Sequence, residues 1–290
     1  MIVLDGGMSN ALEDRGHDLS DALWSARLLR DAPDEIAAVH RAYYEAGAMV
    51  ATTASNQASV IGFERAGVPP PEAEHLISSS VHIAREARDE LGWDLPGGRR
   101  RLVAASVGPY GAMLADGSEY RGRYGVSPET LRDFHGPRLE LLLNAAPDIL
   151  AIETIPDIDE AEVLVELISD FDFPAWFSYS IEGNHTRAGQ PLTDAFAIPS
   201  IDQILAVGIN CCRPADVQPA VETAVAVTGK PAVAYPNAGE SWDARARQWT
   251  GTTTSPATLA PGWRDAGASF IGGCCRVGPD DIRALAAAIA

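Results

Sequence analysis

The sequence predicts a (β/α)8 barrel, the TIM-barrel form of the α/β class, as one domain over residues 1–290. Three observations lead there. Eight short apolar runs recur along the chain, segments of helical periodicity lie between them, and polar, Gly and Cys residues collect just after the runs. The strand candidates are Ile2–Leu4, Met49–Thr52, Leu102–Val107, Asp148–Ile152, Ala175–Tyr179, Leu205–Ile209, Pro231–Tyr235 and Ala268–Ile271. Most are continuous apolar stretches rather than alternating ones, the pattern of parallel strands buried on both faces.

The helices between them read as Asp34–Ala46, Pro71–Leu91, Pro128–Ala145, Ile158–Asp170, Ala215–Thr228, Pro256–Ala266 and Pro279–Ile289. In the first, Ile36, Val39, Tyr43 and Ala46 recur at three- and four-residue spacing and so share a face. Several open with Pro, which loses nothing at a first turn where the N–H has no partner, and Gly47 and Gly267 close two of them. The fifth crossover, through Leu192–Ile201, has the weakest helical signal. No linker or low-complexity segment divides the chain.

Composition narrows the function. The net charge is −18, from 22 basic and 40 acidic residues. That disfavours nucleic acid and anionic membranes as partners, because both are bound by neutralising phosphates. It is compatible with a cationic small substrate. Arg99-Arg100-Arg101 reads as a solvated loop. No stretch reaches the roughly 18–20 apolar residues that span a membrane, and Met1-Ile2-Val3-Leu4-Asp5 lacks the features of a signal peptide. A cytoplasmic location is the default expectation. The oligomeric state is open, a monomer being sufficient.

The residues after the strands are the most informative. They run Asp5-Gly6-Gly7-Met8, Thr53-Ala54-Ser55-Asn56-Gln57, Gly108-Pro109-Tyr110-Gly111, Glu153-Thr154-Ile155-Pro156, Asn210-Cys211-Cys212, Pro236-Asn237-Ala238-Gly239 and Gly272-Gly273-Cys274-Cys275. Such barrels place their active sites at these C-terminal strand ends. Cys211 ends the sixth strand, and Cys274 and Cys275 end the eighth, so three thiolates can converge. Three protein ligands with one open position is the pattern of a catalytic zinc site; four would suggest a closed structural one. Cys212 should point away, since neighbours on a strand alternate, and Gly272-Gly273 should ease the turn that lets both later cysteines face inward. The alternative is four small buried apolar residues. A zinc ion held by three thiolates is a poor Lewis acid for carbonyls, but it takes a soft fourth ligand, so a bound substrate thiol would be deprotonated and still nucleophilic. That suits methyl transfer to sulfur.

Asp5 and Glu153 are candidates for capturing a substrate ammonium, or for structural pairing with backbone amides or an Arg. Gly6 and Gly7 offer N–H groups to a carboxylate, or simply form a tight turn. Asn210 orients substrate or satisfies backbone groups. The long Gly-rich segment Gly108–Gly125 reads as a lid, with Tyr110, Tyr120 and Tyr124 able to face a sulfonium or to pack beneath the loop; Trp24 has the same two readings. The six histidines show no metal-type pair spacing, and hydrolase, Walker and Rossmann fingerprints are lacking.

These motifs resemble the homocysteine S-methyltransferase family nearly end to end. The resemblance is carried by Leu4-Asp5-Gly6-Gly7-Met8, Leu23-Trp24-Ser25-Ala26, the run from Ser106 to Gly122, Glu153-Thr154-Ile155-Pro156, Gly208-Ile209-Asn210-Cys211, Tyr235-Pro236-Asn237 and Gly272-Gly273-Cys274-Cys275-Arg276. It implies zinc on Cys211, Cys274 and Cys275, with homocysteine bound through its sulfur and its amino-acid end near Asp5, Gly6, Gly7, Met8, Glu153 and Asn210. It implies a sulfonium donor, S-methylmethionine or less efficiently S-adenosylmethionine, and methionine as product. Trp24, Gln57, Tyr110, Tyr120 and Asn237 are then the expected donor pocket and lid. A chain of this length lacks the folate and cobalamin domains of cobalamin-dependent methionine synthase, and Thr154 stands where betaine-specific relatives carry a tyrosine. One departure is Asn56, where the family often has Tyr in S-Y-Q-A-S; any aromatic contact from there to the donor is lost. Two competing readings are a methyltransferase for another thiol or selenol acceptor and a non-catalytic protein that holds metal on its vicinal dithiols.

Overall fold

A computed structural model describes residues 1–243 and 248–290. Eight parallel strands form the barrel: β1 (Ile2–Val3), β2 (Val50–Thr52), β3 (Leu102–Val107), β4 (Ile149–Ile155), β5 (Ala175–Glu182), β6 (Ile204–Asn210), β7 (Ala232–Tyr235) and β8 (Ala268–Ile271). They pair in the order β1-β8-β7-β6-β5-β4-β3-β2, and a parallel bridge from Leu4 to Val50 joins the two ends of that path. The Met49 N–H donates to the Val3 carbonyl at 2.7 Å across the same seam. The sheet therefore closes on itself and leaves no long edge unpaired.

A crossover helix leads from each of the first seven strands to the next and an eighth follows the last, with shorter helices beside those after the first three: α1 (Pro33–Ala46), α2 (Pro70–Leu91), α3 (Pro128–Asn144), α4 (Ile158–Ser169), α5 (Leu192–Ala197), α6 (Pro214–Thr228), α7 (Pro256–Asp265) and α8 (Pro279–Ala288). Helix α1 shows how the sequence sets these limits. Pro33 occupies its first turn with Asp34 and Glu35, where acidic groups suit the helix dipole, and Gly47 ends it in a left-handed conformation with φ 110°. Ile36, Val39, Tyr43, Tyr44 and Ala46 form its buried face. The weak fifth crossover folds as a helix only over Leu192–Ala197, not as far as Ile201.

The strands match their predicted positions, with differences at the ends. Strand β1 stops at Val3, with Leu4 held only by its bridge to Val50. Strand β4 continues to Ile155, three residues past the predicted end, and all its positions are buried. Its register against β5 slips between Ile152 and Ile155, a bulge that turns Glu153 and Thr154 to new directions. Strand β5 runs on to Glu182 and returns through an antiparallel His185–Thr186 pair. Gly208 is required by close approach of backbones: a Cβ there would lie 1.9 Å from the Val233 carbonyl oxygen on β7.

The N-terminal end of the barrel is tied by a buried cation. Arg88 on α2 is 1% exposed and donates to Asp148 Oδ2 at 2.9 Å and Asp89 Oδ1 at 2.8 Å. Its guanidinium lies 3.6 Å from the centre of the Trp93 ring. The same Asp148 oxygen accepts the Val103 N–H at 2.7 Å, so the ion pair joins α2 to the starts of β3 and β4. No helix among the described residues is long and apolar enough to cross a membrane.

Candidate active site

Strand β6 ends at Asn210, and Cys211 adopts φ 52°, a left-handed backbone that a residue with a Cβ rarely takes. After β8 the chain turns so that the Cys274 N–H reaches the Pro236 carbonyl at 2.8 Å and the Cys275 N–H reaches Asn237 Oδ1 at 3.2 Å. The two turns bring the Sγ atoms of Cys211, Cys274 and Cys275 within 4.8 Å of one another. Cys211 and Cys275 are 3.7 Å apart, too far for a disulfide. A tetrahedral ion with Zn–S bonds of about 2.3 Å holds its sulfurs about 3.8 Å apart, so the spacing fits.

The glycines act differently from the expectation. Neither Gly272 nor Gly273 is left-handed; the left-handed residue of this turn is Arg276, with φ 67°. The glycines are needed for space. A Cβ on Gly272 would lie 2.6 Å from Leu4 Cβ, and one on Gly273 would lie 2.1 Å from Val277 Cγ1. Cys212 is fully buried among apolar residues, outside the cluster. What separates it from Cys211 is the left-handed turn, not strand alternation, because the strand has already ended.

The protons in the cluster are shared. Hydrogen bonds from Cys274 and Cys275 hold the Cys211 thiol well below its ordinary range against the cost of burial. Contact with Cys211 pushes the Cys274 and Cys275 thiols up. Left to themselves, the three favour one thiolate served by two thiols. A dication at their centre is what would let all three ionise.

Two carboxylates form the barrel floor beside them. Glu153 accepts from Ser106 Oγ, from Asn56 Nδ2 at 3.1 Å and from Tyr235 Oη at 2.9 Å. Asp5 accepts from the Thr52 N–H at 2.6 Å and the Thr52 hydroxyl at 2.9 Å. Every donor is neutral. Burial raises the Glu153 carboxyl above its ordinary range, and it pushes Asp5 up to about 8. Backbone amides do hold Asp5 in part, but no Arg or Lys forms an ion pair with either acid among the described residues.

The remaining predicted residues separate into those at the cluster and those elsewhere. Asn210 is committed to Thr154: its Oδ1 accepts the Thr154 N–H at 2.7 Å and its Nδ2 donates to Thr154 Oγ1 at 2.7 Å. This clamp holds Thr154 at φ 62°, the conformation behind the β4 bulge. Asn237 bridges the cysteine segments, its N–H donating to the Cys212 carbonyl at 2.9 Å and its Oδ1 accepting from Cys275. The Gly7 N–H is taken by the Val277 carbonyl at 2.9 Å, and Met8 begins a short helix, Met8–Asp14. A Cβ on Gly6 would lie 2.3 Å from the Val277 carbonyl oxygen, so Gly6 and Gly7 form a tight turn against the β8 loop.

In the long loop after β3, Tyr120 is brought to the cluster, its hydroxyl 3.4 Å from Cys211 Sγ. Tyr110 packs away from it, against Tyr124 at 5.4 Å and Phe134 at 5.0 Å. Buried Glu160 at the start of α4 anchors this loop by accepting the Tyr110 N–H at 2.6 Å and the Tyr124 hydroxyl at 3.0 Å. Trp24 sits on an exposed turn, Trp24–Arg27, with no hydrogen bond or ring contact to the cysteines among the described residues. Gln57 is half-buried beside Asn56.

Sequence reasoning missed several neighbours. Ser106, Asn56 and Tyr235 surround Glu153; the available signal was a polar residue inside an otherwise apolar strand, as at Ser106 and Tyr235. Arg138 on α3 is buried and donates to the Ser55, Asn56 and Gly108 carbonyls, fixing the loops after β2 and β3 together. Arg187 lies 5.6 Å over the Tyr120 ring, and its charge favours the Cys211 thiolate.

Comparison with known proteins places this arrangement. A family profile described as homocysteine S-methyltransferase matches residues 2–289. The homocysteine S-methyltransferase of Escherichia coli (strain K12) is 45% identical over 293 residues, covering 99% of this chain and 94% of its own length. Homocysteine S-methyltransferase YbgG of Bacillus subtilis (strain 168) is 43% identical over 296 residues, covering 99% and 94%. The crystal structure of the homocysteine methyltransferase MmuM from Escherichia coli, metallated form, superposes with a TM-score of 0.89 at 43% identity, over 99% of this chain and 96% of that one. The chain belongs to the homocysteine S-methyltransferase family.

Proposed function

We propose that this protein transfers a methyl group from a sulfonium donor, with S-methylmethionine preferred to S-adenosylmethionine, to the thiol of L-homocysteine, giving methionine. Cys211, Cys274 and Cys275 would hold a zinc ion. The observation that carries this reading is the trio of Sγ atoms within 4.8 Å of one another at the mouth of a closed barrel. The metallated form of the Escherichia coli relative supports it. Held by these three cysteines, zinc would supply a soft Lewis acid that favours loss of the substrate thiol's proton to solvent at neutral pH.

The chain's own residues bind and orient. Asp5 and Glu153 are buried acids without a cation, so a substrate ammonium placed between them gains charge-assisted hydrogen bonds and returns both to their ionised forms. Ser106, Asn56 and Tyr235 hold Glu153 in place before substrate arrives. Asn210 holds Thr154, and Asn237 fixes the cysteine loops. Tyr120 covers Cys211 from the lid and excludes water beside the reacting sulfur. The methyl carbon then passes from the sulfonium sulfur to the thiolate sulfur. The C–S bond to the donor breaks with its electron pair staying on the donor, both charges vanish, and no general base is needed after the thiol proton has left.

The test uses protein loaded with zinc under reducing conditions, supplied with homocysteine and a panel of sulfonium donors. Methionine should form, fastest with S-methylmethionine, and one zinc should be retained per chain. Failure to retain zinc together with failure to form methionine would reject the reading.

A further inference from the structure

Glu119 has no part in the site so far described, yet it is 8% exposed and its Oε2 is buried without a hydrogen-bond partner. Buried carboxylate oxygens are normally paired, because stripping one of water costs several kcal/mol. No Lys, Arg or His forms an ion pair with Glu119 among the described residues. It precedes Tyr120, whose hydroxyl touches Cys211, and it is near enough to feel the charge of that thiolate. Burial pushes its carboxyl up to about 7. Its position is also fixed: a Cβ on Gly111 would lie 2.6 Å from the Glu119 nitrogen, so the loop is folded tightly on itself.

We infer that Glu119 binds the α-ammonium of the methyl donor. The inference rests on the reaction proposed above. Two amino-acid substrates bring two ammonium groups to the site. Asp5 and Glu153 on the barrel floor serve the thiol acceptor, whereas Glu119 belongs to the lid, where Tyr120 is 38% exposed and forms the outer wall. The donor must approach the acceptor sulfur from that side. The donor also carries charge on its sulfonium, but that charge disappears as the methyl group leaves. A carboxylate at the sulfonium would stabilise the reactant more than the transition state and slow the reaction. The ammonium keeps its charge throughout, so a carboxylate there binds without that penalty. Arg187 on the face of Tyr120 places the opposite charge nearby, as a zwitterionic ligand requires.

The test is Glu119→Gln in the zinc-loaded protein, with Kd measured by calorimetry and KM by methionine formation. Loss of one charged hydrogen bond should raise Kd and KM for S-methylmethionine about tenfold or more. Zinc content and the Kd for homocysteine should not change, which also shows that the variant is folded. The deaminated analogue of S-methylmethionine should react equally well with both proteins. Glu119→Asp, which keeps the charge, should recover part of the lost affinity. The assignment is overturned by an unchanged Kd for S-methylmethionine, by equal weakening of the two donors, by loss falling on homocysteine, or by equal loss in the Asp and Gln variants. A wild-type protein that forms no methionine rejects the proposed reaction instead, and the binding comparison still decides the role of Glu119.

Discussion

The two ends of the barrel treat buried charge in opposite ways. At the N-terminal end, Arg88 is paired with Asp89 and Asp148 and stacked on Trp93. At the C-terminal end, Asp5, Glu153 and Glu119 are buried at 5%, 7% and 8% exposure, and none has an ion-pair partner among the described residues. The first arrangement is charge-paired within the chain and serves the fold. The second lacks counter-charges within the chain, and on the proposed reading ligands bring them. Stability and function therefore occupy different layers of one closed sheet.

This contrast can be tested from its strongest consequence downward. Cys274→Ser should cut zinc affinity and turnover by at least about 100-fold, with the far-ultraviolet circular dichroism unchanged; metal analysis and methionine formation measure both. Retention of one tightly held zinc by this variant would remove Cys274 from the ligand set. Arg88→Met takes the cation from Asp148, whose side chain is 24% exposed, and should cost about 1–3 kcal/mol in denaturant unfolding, with KM for either substrate unchanged. A shift in KM would show that the two ends communicate.

Glu153→Gln should do the reverse. Its three neutral donors can be rearranged around an amide, so stability should hold or rise, while KM for homocysteine increases about 10- to 100-fold. A stability loss without a KM change would make Glu153 a structural residue.

The smallest effect concerns pH. Asp5 rises from its ordinary value of 3.8 to about 8 in the folded, ligand-free protein. Between those values the folded state holds a proton that the unfolded state has released. This contribution to stability is therefore full below about 3.8 and declines as pH rises towards about 8. Denaturant unfolding of the metal-free protein from pH 5 to 8 should show that decline, and Asp5→Asn should flatten it.

How far the sequence carries depends on whether a feature is local. The barrel was legible because each strand and helix repeats a short-range pattern, and the cysteines were legible because their rare type falls at two strand ends. The surroundings of Glu153 were not, since Asn56, Ser106 and Tyr235 meet only when β2, β3 and β7 close around β4. The end of β4 was misjudged because its bulge depends on Asn210, which lies 56 positions away and clamps Thr154. The absence of a partner for Glu119 is a property of packing and leaves no mark on the sequence.

Arg138 has a consequence for how this site can change over evolutionary or laboratory time. Its guanidinium grips the loops after β2 and β3 by their carbonyl oxygens, at Ser55, Asn56 and Gly108, and so ignores which side chains those residues carry. Position 56 can then exchange Tyr for Asn without the loop losing its place. A library confined to residue 56, with Arg138 left alone, should alter the affinity for the thiol acceptor through Glu153 while sparing the scaffold.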